Sequence, residues 1–167
     1  MPAQISLLID SPLRDMLLRL RGVDADARSH LLSAARQNAA PIWQGELTPR
    51  AATRLQRRVL VDSARVSVTA RNIQLKSAIA GRLSTGTPVS VLAAATEFGA
   101  SPGSMYLTLP SRGPGKPYMR RFGNTFGGRK QAGKVVFPSI DAAIPRVSSL
   151  VIQTVARALY DALDGGK

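Results

Sequence analysis

The chain has 167 residues, enough for one domain that buries roughly 70% of the surface its unfolded form exposes. Lysine and arginine number 23 against 10 acidic residues, a net charge of +13, while apolar residues make up 44% of the chain. This excludes a disordered polyelectrolyte and points to a folded, arginine-rich body with an acidic partner. With no cysteine, disulfides, thiolate metal sites and cysteine nucleophiles are excluded together, and a reducing compartment fits.

Met1 to Asp10 holds an apolar stretch of about five residues and no basic leader, so neither a signal peptide nor a membrane span is expected. Ser11-Pro12 followed by Leu13, Met16, Leu17 and Leu20 predicts a capped helix ending at Gly22. Asp24 caps a second helix with Ala27, Leu31, Leu32, Ala35, Ala39 and Ile42 or Trp43 on one face, kinked or stopped by Pro41. These N-terminal helices take up residues 1–48. The lone His30 reads as a solvated helix residue, with no second histidine to share a metal.

A basic stretch follows with Arg50, Arg54, Arg57 and Arg58. Val59 to Val61 and Arg65 to Thr69 alternate as strands do, and Ile73 to Ile79 supplies a hairpin partner after a turn at Ala70 to Asn72. Val66, Val68, Ile73, Leu75 and Ile79 then face the core, and Arg65, Arg71, Lys76 and Arg82 line the outer face or rim. Gly81 to Pro88 is a turn-rich break. Val89 to Phe98 has no clear period and is ambiguous between a short helix and a strand, leaning toward strand near its end and closing a sheet region over residues 59–98.

From Gly99 to Gly133 the chain is rich in glycine and cations and has no acidic residue. Tyr106 to Leu109 and Tyr118 to Phe122 predict two short strands joined by a Pro/Gly-rich turn, in a long flexible loop or extended hairpin. Arg112, Lys116, Arg120, Arg121, Arg129 and Lys130, with Lys134 just beyond, interleave with Tyr106, Tyr118, Phe122 and Phe126. That mixture suits an arm that binds a protein partner or DNA. Lys134 to Phe137 reads as a further strand, and Pro138 hands over to a final helix, so that strand and helix fill residues 134–163. Its stripe runs through Ile140, Ala143, Ile144, Val147, Leu150, Val151, Val155, Ala158, Leu159 and Ala162. Pro145 places the start of its regular part nearby, and Gly165-Gly166 ends it. The fold class expected is α+β: one domain with an antiparallel sheet packed against N-terminal helices and a long C-terminal helix, carrying an extended basic loop or hairpin.

No reaction is legible. Gly113-Pro114-Gly115-Lys116 is followed by Pro117, which blocks the helix that a phosphate-binding loop requires. The acid pairs Asp24/Asp26 and Asp161/Asp164 suit helix ends, and no serine sits in a nucleophile elbow. A non-enzymatic protein without metal or cofactor is expected, and its surplus charge alone also suits a free nucleic-acid-binding protein.

The order of features resembles a phage family: the basic hairpin region, Glu97-Phe98-Gly99-Ala100, the Arg- and Gly-rich loop, Lys134-Val135-Val136-Phe137-Pro138, and Pro145-Arg146-Val147 with Ser149-Leu150-Val151-Ile152-Gln153-Thr154. It is similar to the tail-component or tail-completion neck proteins of long-tailed phages, especially those infecting actinobacteria. That resemblance implies a structural subunit of the head-to-tail junction in the virion, assembled in the host cytoplasm. The implied setting is a ring, sixfold by that likeness, between head-closure proteins and the tail tube, with double-stranded DNA passing through. A tail terminator capping the tube is the neighbouring possibility.

Overall fold

The computed structural model describes residues 5–9, 25–69, 72–108, 110 and 115–164. Strand β1 (Ile5–Ile9) opens the described chain, followed by helix α1 (Ala25–Leu47). Next comes α2 (Arg54–Gln56), which continues into a π-helical turn (Arg57–Val61). Strands β2 (Arg65–Val68) and β3 (Ile73–Ser77) lead to α3 (Val89–Phe98). Strands β4 (Met105–Thr108) and β5 (Tyr118–Arg121) precede the long helix α4 (Val136–Asp164). The α+β class is what the sequence implies. The helix expected over Ser11 to Leu20 lies outside the described residues.

Helix α1 is the hub. Leu31, Ala35, Ala39, Trp43 and Leu47 recur every four residues and are all buried. Helix α4 answers with Ser139, Ala143, Val147, Val151 and Val155 at the same spacing. Two such ridges interlock, and alanines on both let the backbones approach closely. The helices run antiparallel, since Ser139 at the start of α4 donates to the Glu46 carbonyl near the end of α1 (3.0 Å). Pro41 and Pro145 lie inside their helices instead of ending them, and both are exposed. The carbonyls of Gln37 and Asp141, which lose their amide partners, belong to exposed residues one turn back, where solvent can replace the lost donors. The regular part of α4 therefore starts nine residues before Pro145, not beside it.

The larger sheet has the order β1-β3-β2, antiparallel throughout. Val66 faces Leu75 and Val68 faces Ile73, all four buried, so the expected hairpin and its inward face are present. Thr69 and Asn72 close it (N···O 2.9 Å) around a turn outside the described residues. Strand β3 stops at Ser77, leaving Ile79 half-buried beyond it. The Trp43 indole donates to the Lys76 carbonyl (3.0 Å) and fastens α1 to the sheet. Strand β1 was not anticipated in the sequence, where its four apolar residues and Ser6 carry no partner signal.

Two expected strands and one segment ambiguous between helix and strand turn out helical or lead into a helix. Val59 to Val61 lies in the π turn, which buries these three consecutive apolar side chains. A capping box starts this segment: Thr53 Oγ1 accepts from the Gln56 amide and Gln56 Oε1 from the Thr53 amide, each at 3.1 Å. Val89 to Phe98 is helix α3 throughout, burying Val89, Leu92, Ala93, Thr96 and Glu97. Lys134 to Phe137 is the entry to α4, for the reason given next.

Candidate functional site

Glu97 is fully buried, yet no cation meets it among the described residues. Its carboxylate accepts the backbone amides of Lys134 (3.1 Å), Val135 (3.2 Å), Val136 (2.9 Å) and Phe137 (3.0 Å). These are the amides that the first turn of α4 leaves without partners, and the helix dipole favours a negative charge there. Pro138 follows and brings no amide of its own. Val136 and Phe137 thus open a helix because a residue 39 positions before Val136 caps it, a contact that no local pattern encodes. Gly133, at φ +73°, lies so close to Glu97 Oε1 that a Cβ would collide with it.

The same node roots the basic segment. The Lys130 amide donates to the Phe98 carbonyl (2.7 Å), and the Lys134 ammonium to the Phe126 carbonyl (2.6 Å). Gly99, at φ +83°, packs so tightly on Gly127-Gly128 that a Cβ would strike the Gly128 carbonyl. The Phe98 and Phe137 rings lie 5.3 Å apart. Glu97, Phe98, Gly99 and Pro138, set apart in the sequence as a signature, together build a clasp; Lys134 belongs to it and not to the cations facing solvent.

From this root projects the β4–β5 hairpin, with Met105 paired to Arg121, Leu107 to Met119, and Thr108 to Tyr118. Alternation splits its side chains between two faces. Inward, Tyr106 stacks on Phe122 (4.5 Å) and Phe122 meets Phe126 edge-on (4.9 Å), while Thr108 is buried beside Thr87. Outward, Met105, Leu107 and Met119 are 52%, 55% and 52% exposed, with Arg121 beside them. Lys116, Arg120, Arg121, Arg129 and Lys130 are exposed and pair with no acid among the described residues. Arg112 lies outside the described residues. The outward apolar trio was missed in the sequence, although the alternation Met-Tyr-Leu-Thr signals it.

The second basic group divides. Arg54, Arg57 and Arg58 do not belong to the hairpin but to α2 and its π turn, where spacings of three and four put them on one side. They line an open cleft of about 980 Å³ together with Arg82, Leu83, Ser84, Thr85 and Thr125 from later in the chain. Its acid, Asp62, lies 3.5 Å from Arg58. Arg65 and Lys76 sit opposite each other on β2 and β3, away from the cleft, and Arg65 donates to the Asp62 and Ala64 carbonyls. Arg71 lies outside the described residues.

Among the described residues no helix is long and apolar enough to cross a membrane, and no cluster of three His, Cys, Asp or Glu could hold a metal ion. Comparison with protein families, with curated proteins and with solved structures finds no match to this chain.

Proposed function

We propose that the chain is a structural subunit of the head-to-tail junction of a long-tailed phage, working without catalysis. In this reading it assembles with copies of itself into a ring, sixfold by the family likeness, and joins head-closure proteins to the tail tube around the DNA. The observation that carries the reading is the β4–β5 hairpin: a short two-stranded ribbon, clasped at its root, that offers water an apolar face and uncompensated cations. A two-stranded ribbon is marginal by itself, and an exposed apolar row rimmed by charge is what a docking element presents. The order of motifs from the Glu97 clasp to α4 supports the phage assignment through the resemblance described above.

The test is electron microscopy of particles produced without the chain. Filled heads and free tails that fail to join are expected, and normal, joined, infectious virions would overturn the reading. Density for the subunit at the tube's own end, rather than between head and tail, would move it to the tail terminator.

A further inference from the structure

We infer that the cleft between α2 and the Arg82–Thr85 turn is a binding site for the sugar-phosphate backbone of duplex nucleic acid. This inference does not rest on the neck reading, because it follows from the cleft alone. Four arginines from two separated chain segments converge there against the single acid Asp62. Arg58 is partly answered by that acid, whereas Arg54 and Arg57 pair with no acid among the described residues. Arg82 donates one bond to the Gly86 carbonyl (3.2 Å), which orients its guanidinium and leaves donors over.

The remaining lining separates phosphate from protein as the ligand. Thr53, Ser84, Thr85 and Thr125 ring the arginines with hydroxyls, and the large apolar residues present, Leu55 and Leu83, are half-buried in the body. Arginine forks with serine and threonine hydroxyls are the groups that hold nucleic-acid phosphates, and they fix position without reading sequence. A protein hot spot joins arginine to aromatic anchors, and the cleft lining has no aromatic side chain. The two basic surfaces thus divide their ligands: hairpin for protein, cleft for DNA.

The experiment measures binding of the full chain to a random-sequence DNA duplex by fluorescence anisotropy across a salt series. Two variants remove equal charge: Arg54→Gln/Arg57→Gln/Arg82→Gln in the cleft, and Arg120→Gln/Arg121→Gln/Arg129→Gln on the arm. The slope of log affinity against log salt should become shallower by about 0.9 per arginine removed from the cleft. The arm variant should lose less than half as much. Equal losses would mean that diffuse charge alone attracts DNA, and no salt slope in the parent chain would mean no backbone contact; either overturns the inference. So would binding of polyglutamate as tight as that of the duplex. Melting curves check folding; if the cleft variant unfolds, the three single substitutions carry the test, with an unchanged slope in all three overturning the inference.

Discussion

Glu97 shows how a buried carboxylate is held without a counter-ion, its charge being met by four amides and a helix dipole. Replacing it by alanine strands those amides in a dry site, where an unmet donor costs about 1–3 kcal/mol, so Glu97→Ala should destabilise by on the order of 3 kcal/mol. Glu97→Gln keeps the shape and one acceptor but aims an amide donor at donors, so an intermediate loss is expected. Urea denaturation measures both; a loss under about 1 kcal/mol for Glu97→Ala would show that water caps α4 equally well. Gly133→Ala adds a left-handed backbone cost of roughly 1 kcal/mol to its collision with the carboxylate. The collision vanishes once Glu97 is alanine, so the double variant should be less destabilised than the two single losses combined. Strict additivity would show that Gly133 is required by its backbone and by the Phe137 Cβ, which an added methyl would approach to 3.0 Å, and not by the carboxylate.

Between elements, what was legible and what was not divides by the range of the deciding contact. The β2–β3 and β4–β5 hairpins and the stripes of α1 and α4 could be read because each is written in its own periodicity. Val59 to Val61 and Lys134 to Phe137 read as strands because β-branched runs favour them, a weak preference that capping and burial override, while Val89 to Phe98, whose small and apolar residues show no period, stays open between helix and strand until the fold buries one side of it. One of those caps, Thr53-x-x-Gln56, was local and detectable; Glu97 acts across 37 residues and was not. Likewise the arm's cations were found from sequence, whereas the cleft needed the fold to carry Arg82 to Arg54. The hairpin allows an element-scale prediction. Met105→Ser/Leu107→Ser/Met119→Ser changes exposed side chains, so stability should stay within about 0.5 kcal/mol per site, yet self-association should fall at least tenfold. Sedimentation velocity beside thermal melting checks this, and unchanged association would remove the hairpin from the interface.

For the molecule as a whole, the two proposed ligands place opposite demands on its charge. A surplus of +13 on 167 residues means that copies brought into one ring repel one another, while a polyanion in contact with them is attracted. Salt screens both effects, with a Debye length of about 10 Å at 0.1 M and about 3 Å at 1 M, but with opposite sign. If the ring contact is mainly the apolar outer face of the hairpin, self-association of the pure chain should strengthen as sodium chloride rises from about 0.05 to 0.5 M, because screening removes repulsion and leaves apolar burial intact. DNA binding should weaken over the same range as counterion release loses its driving force. Short duplexes added at low salt should then replace the salt and promote association, since they neutralise the arginine clefts while leaving the hairpins free. Sedimentation velocity at the two salt concentrations, with and without a duplex, reads all three. Association that weakens with salt would mean that the copies meet through opposite charges, which would assign the arm's cations to the acids Asp26, Asp141 or Asp161 of a neighbouring copy. In that case the apolar row would have to serve a different protein.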